Sequence, residues 1–216
     1  MRTRSPQSVA LVAGLAAMAL GFVSSAGAQD QVSSPDAKRL STAVFAGGCF
    51  WCVEADFDKV DGVVSTVSGY TGGRVDNPTY QQVSHEKTGH YEAVKVTYDP
   101  DKVSYADLVD YYFHHVDPTD ADGQFCDKGE SYRTAVFVAN DAEREIAEAE
   151  VETIGQSGVL DAPVVTRIVD AATFWPAETY HQDYYKKNPL KYRYYRTACG
   201  RDARVKQVWA KESVGH

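Results

Sequence analysis

The sequence predicts an α+β fold, a two-layer sandwich of a mixed β-sheet with helices on one face. Three observations predict it. Runs of strand composition recur at 41–46, 63–69, 92–98, 134–139 and 164–169. Between them lie stretches with apolar residues at helical spacing. The order that results is β-α-β, loop, β-α-loop-β-α-β, then a winding C-terminal segment. No repeat, low-complexity tract or linker interrupts it.

Residues 1–28 read as a secretory signal peptide. Arg2 and Arg4 give a positive start, Val9 to Val23 is a short apolar run, and Ala26-Gly27-Ala28 fits a cleavage site. The run is short for a membrane span. Export to the periplasm or outside the cell is therefore expected, with the mature chain starting at Gln29. Residues 29–40 read as a flexible polar leader and 41–216 as one domain. About 188 residues remain after cleavage, enough for a real core. The net charge of −8 and the absence of a basic surface argue against nucleic-acid binding.

Ser41 to Ala46 reads as a buried strand. Phe50, Val53, Phe57 and Val60 follow at near-helical spacing, so Cys49 falls where a strand ends and a helix begins. The glycines Gly47 and Gly48 allow a tight turn or a close approach there. A thiol at a helix start feels the positive end of the dipole, which lowers its pKa and makes it nucleophilic. Asp61-Gly62 turns the chain into the strand at 63–69. Tyr70-Thr71-Gly72-Gly73 is a glycine-rich loop, and Pro78 can open a short helix over 79–83. Glu92 to Tyr98 alternates as a strand, with Val94, Val96 and Tyr98 on one face. Ser104 caps a helix whose apolar face is Tyr105, Leu108, Val109, Tyr112 and Phe113. Residues 117–132 form a long polar loop, of the kind that often carries function. Thr134 to Ala139 is a continuous apolar strand. Asn140 caps the next helix with Glu143 as capping-box partner, and that helix stops near Gly155. Residues 178–187 suit a short helix, and from Leu190 the tail is rich in Tyr, Arg and Lys.

Four cysteines remain after the leader: Cys49, Cys52, Cys126 and Cys199. In an exported chain they could form structural disulfides. Cys49-Phe50-Trp51-Cys52 also has the C-x-x-C spacing of a thiol–disulfide oxidoreductase. A zinc module from Cys49, Cys52, His85 and His90 has suitable ligand types, but its spacing follows no finger pattern.

The motifs Gly-Cys-Phe-Trp, Gly-Tyr-Thr-Gly-Gly, Asn-Pro-Thr-Tyr, Thr-Gly-His-x-Glu, Asp-x-Gly-x-x-Tyr-Arg and His181-Gln182-Asp183-Tyr184 occur in this order. In them the sequence resembles the A-type peptide methionine sulfoxide reductases, across almost the whole mature chain. The resemblance implies a ferredoxin-like βαβ core with a coiled C-terminal segment. It implies reduction of methionine S-sulfoxide, free or in proteins, to methionine. Cys49 matches the nucleophile, and Phe50 and Trp51 the wall that receives the S-methyl group. Glu92 matches the acid that protonates the sulfoxide oxygen. Tyr80 and Tyr132 match donors to that oxygen, and Asp127 a polar neighbour. Glu54 competes for the acid role but matches a scaffold position. A glutamate in a pocket with apolar walls has a raised pKa, which suits Glu92 to proton donation near neutral pH.

The reaction leaves a sulfenic acid on Cys49, which a second thiol condenses to a disulfide. Cys199, in Cys-Gly-Arg-Asp like that of a subset of the family, is the preferred resolver; Cys52 and Cys126 compete. Cys126 stands where many relatives carry Asn, Cys52 where Gly is commoner and Ser131 where Gln is common. No bound cofactor is expected. A thioredoxin-like reductant must supply electrons, and a monomer is expected.

Overall fold

The structure, a computed structural model, describes residues 39–212. The expected signal peptide and most of the leader lie outside the described residues. No helix within them is long and apolar enough to cross a membrane.

Strand β1 (Ser41–Gly47) leads into helix α1 (Phe50–Phe57), then β2 (Val63–Thr71), a short α2 (Tyr80–His85) and β3 (Tyr91–Tyr98). Helix α3 (Tyr105–Phe113) and the later strand β6 (Thr134–Val138) complete a unit ordered β6-β1-β3-β2. All three neighbouring pairs in it are antiparallel. This is the split βαβ arrangement expected of a ferredoxin-like core. Helix α4 (Asp141–Ser157) then crosses over to β7 (Arg167–Asp170), which joins β6 in parallel, so the sheet is mixed. On the far edge, β8 (Trp175–Pro176) pairs with β2.

Alternation along the strands divides the core. Phe45, Val94 and Val96 face α1 and α3 in the main cluster. Their neighbours Ala46 and Ala93 pack with Tyr91 and Phe137 on the other side. Ser104 caps α3 as expected, in a full capping box with Asp107.

Several boundaries differ from the sequence reading. The loop at 117–132 contains a small hairpin, β4 (Gly123–Gln124) with β5 (Asp127–Lys128), and a 3-10 turn at Glu130–Tyr132. Asn140 caps α4, but the Glu143 carboxylate bonds the Ala139 amide (2.8 Å) in place of a capping box. That helix runs through Gly155 and stops at Gly158, which is left-handed (φ 71°). The strand expected at 164–169 starts later, because the Val165 amide bonds Pro118 O (2.8 Å) outside the sheet. The short helix read over 178–187 shrinks to α5 (Tyr184–Lys187). The winding C-terminal segment carries two helices, α6 (Pro189–Ala198) and α7 (Arg201–Val208).

Candidate active site

The β1–α1 junction places Cys49 directly before the first residue of α1. Gly48 makes the turn possible. Its φ is 82°, and a Cβ there would lie 2.6 Å from the Gln124 Cβ. Gln124 is fully buried and locked to the Asp117 backbone by two hydrogen bonds (2.8 and 2.7 Å). The β4–β5 hairpin thus sits against the nucleophile turn, and its next residues are Phe125, Cys126 and Asp127.

Cys49, Phe50, Trp51, Tyr80, Glu92, Asp127 and Tyr132 line one cavity of about 70 Å³. Seven of the eight site residues named from sequence therefore meet, and Tyr195 joins them. The eighth, Cys199, lies just behind Asp127, with its Sγ 3.9 Å from Asp127 Oδ2.

The aromatic wall is held from the C-terminal half of the chain. Trp51 stacks on Tyr184 at 3.8 Å between centroids, nearly parallel, and meets the edge of Tyr195 at 5.8 Å. Its indole N–H donates to His181 Nδ1 (3.0 Å), which fixes that nitrogen as an acceptor. Burial keeps His181 below its ordinary pKa, in line with a neutral ring. Gln182 clamps the Ser68 backbone on both sides (2.9 and 2.8 Å). The Asp183 amide donates to the Glu54 carboxylate (3.0 Å). Burial pushes Glu54 up to about 7. It nevertheless faces Asp183 and does not line the cavity.

Glu92 is 2% exposed and accepts the Phe50 amide at 3.0 Å. Burial pushes its pKa up to about 8; that amide opposes the rise, and Asp127 and Cys52 add to it. Glu92 thus holds its proton near neutral pH. Burial raises Tyr80 to about 12 and Tyr132 beyond that, so both phenols stay protonated donors. The Tyr195 hydroxyl donates to Asp127. Burial raises the Asp127 carboxyl, and that hydrogen bond partly offsets it.

Cys49 departs from the expectation of a lowered pKa. Burial pushes its thiol well up, and Cys52 and Glu92 add to the rise, while Tyr195 works against it. Cys52 is lowered, first by its hydrogen bond with Cys49, with Arg201 and Arg196 assisting against burial. Desolvation in the closed cavity outweighs what a helix start supplies.

Cys126 and Cys199 form a disulfide, with Cα atoms 5.0 Å apart and a sequence separation of 73. Cys49 and Cys52 are free. Cys199 is therefore paired with Cys126 in this state, a partner the spacing did not reveal. Arg201 secures the segment that carries it. Its guanidinium donates to Gly47 O (2.9 Å) and His115 O (2.8 Å) and lies over the Phe125 ring. The zinc set does not assemble among the described residues. His90 spends both ring nitrogens on the backbone of Gly73 and Val75.

Comparison with known proteins agrees with this geometry. A family model described as peptide methionine sulfoxide reductase matches residues 41–213. The chain is 56% identical over 173 residues to the peptide methionine sulfoxide reductase MsrA 2 of Caulobacter vibrioides, covering 80% of this chain and 87% of that one. It is 45% identical over 202 residues to the MsrA/MsrB protein of Vibrio cholerae, covering 94% of this chain but 53% of that longer protein. Among solved structures, methionine sulfoxide reductase A of Corynebacterium diphtheriae superposes with a TM-score of 0.63 at 33% identity, over 70% of this chain and 76% of that one.

Proposed function

The chain belongs to the peptide methionine sulfoxide reductase family, and we propose that it reduces methionine S-sulfoxide, free and in proteins, to methionine through Cys49. The observation that carries this reading is the cavity itself: a free thiol, a carboxyl that keeps its proton, two phenols and an aromatic wall, gathered in about 70 Å³.

The S-methyl group rests against Phe50 and Trp51, which offer a dry surface. The sulfoxide oxygen points to Glu92, Tyr80 and Tyr132. Neutral Glu92 gives its proton to that oxygen as the Cys49 thiolate attacks sulfur. A neutral Glu92 also removes one of the charges that hold the Cys49 thiol up, and the Tyr195 contact favours the thiolate. The Cys49–sulfur bond forms, the oxygen passes to Cys49 as a sulfenic acid, and methionine leaves with the electron pair.

Cys199 then condenses with the sulfenic acid, releasing water and forming a Cys49–Cys199 disulfide. Cys126 thiolate attacks Cys199, freeing Cys49 and leaving Cys126–Cys199. The pairing of these two cysteines beside free Cys49 supports that order. Cys199 is half-buried beside Asp127 and Cys126 is exposed, so the final disulfide offers its outer sulfur to a thioredoxin-like dithiol. The thiol–disulfide oxidoreductase reading is not favoured, because its own pair, Cys49 and Cys52, remains reduced while another pair is oxidised. The leader pattern supports a site of action in the periplasm or outside the cell, which would require the reductant there also.

The test is reduction of the separated S- and R-sulfoxides of methionine by the wild type and by Cys49→Ser. The wild type is expected to reduce the S form and the variant neither. Activity confined to the R form, or retained without Cys49, would contradict the reading.

A further inference from the structure

The cavity of about 70 Å³ lined by Cys49 and Glu92 is far smaller than the roughly 300–1,000 Å³ of a site that encloses a whole ligand. The rest of a polypeptide substrate must lie outside it. A second recess, of about 280 Å³, opens between residues 83–90, the end of α2 and its link to β3, and the turn from Lys128 to Tyr132. Tyr132 is a wall of both.

We propose that this recess binds the polypeptide that flanks the oxidised methionine on one side, as an extended segment. The proposal rests on the sulfoxide reductase reading and adds where the protein part of the substrate is held.

The polar part of the recess is fixed. His90 is 2% exposed, with Nε2 hydrogen-bonded to Val75 O (2.7 Å) and Nδ1 accepting from the Gly73 amide (3.1 Å). Thr88 is buried, and its Oγ1 accepts from the His90 amide (3.2 Å). The wall at Gly129 is bare backbone: its φ is 127°, and a Cβ there would meet nothing within 4 Å. Bare backbone lets another main chain come close. The rim carries His85, Glu86, Lys87, Lys128 and Glu130, all exposed and of both signs. Of its charged residues, Lys128 pairs with Asp120, while Glu86, Lys87 and Glu130 make no ion pair with another described residue. Val83 and the Tyr132 ring give the recess apolar surface beside the polar groups of Thr88 and His90, and this mixture under a charged rim fits a peptide segment with its backbone and side chains. Because both signs are present, the recess reads peptide presence more than peptide charge.

Two rim variants test this, Lys87→Trp and Glu86→Trp, each placing bulk over the recess away from the catalytic groups. Initial rates are measured with free methionine sulfoxide and with a short N-acetylated peptide carrying the sulfoxide in its middle. Both variants are expected to raise KM for the peptide by about fivefold at unchanged kcat, the mark of lost uniform binding, and to leave free methionine sulfoxide within about twofold. Equal changes for both substrates, or an unchanged peptide KM in both variants, would overturn the proposal. Wild-type turnover of free methionine sulfoxide separates the two levels: its absence sinks the functional reading, whereas its presence with peptide-blind variants sinks only the recess.

Discussion

Glu92→Gln separates two consequences of burying an acid in this cavity. Gln keeps the shape and can still accept the Phe50 amide, but it cannot ionise or donate a carboxyl proton. In the folded protein the Glu92 pKa rises from an ordinary 4.5 to about 8, chiefly through burial. The folded state then binds a proton that the unfolded chain has released, so stability falls as pH rises between these two values. At about 1.36 kcal/mol per unit, the full penalty approaches 5 kcal/mol once pH exceeds the folded pKa. Between about pH 5 and about pH 9, wild type should therefore lose about 4 kcal/mol relative to Glu92→Gln. Urea denaturation of both proteins at the two pH values measures it. Single-turnover methionine release measures the other consequence: the variant loses about a hundredfold or more. A stability gap that does not widen with pH, or a variant with near-wild-type release, would refute the reasoning that Glu92 is a buried, protonated donor.

Gly48→Ala should cost about 2–3 kcal/mol in urea denaturation, since a Cβ would stand 2.6 Å from Gln124 at a φ of 82°. It should also slow turnover, because that turn carries Cys49. Cys126→Ser should lower stability by up to about 4 kcal/mol relative to the oxidised wild type, from the loop that the disulfide closes across 73 positions. The same variant should still release one methionine per enzyme in the first turnover.

Much of the site was legible because it sits on well-patterned elements. Alternation in β3 fixed Glu92 at a strand entrance, and the strand–helix switch fixed Cys49. Residues without such a frame were harder to read. Strands β4 and β5 are two residues each, below any periodic signal, yet they bring Asp127 and Cys126 to the cavity. Tyr195 lies in a tail rich in Tyr, Arg and Lys, on a helix with no buried residue. Its short spacing before Cys199 in Tyr-Arg-Thr-Ala-Cys was the available signal. The disulfide joins two distant segments, and spacing alone does not pair them. Cys49 was misread in its pKa because burial is a tertiary property, whereas the helix start is a local one. Arg201 belongs with these, since its partners Gly47 and His115 lie far away in sequence.

The relay is tested most directly by mapping disulfides, by mass spectrometry, after one turnover of fully reduced enzyme with methionine S-sulfoxide and no reductant. The wild type should release methionine and end with Cys126 joined to Cys199 and Cys49 free, while Cys126→Ser should trap Cys49 joined to Cys199. A Cys49–Cys52 disulfide in either protein would contradict the account.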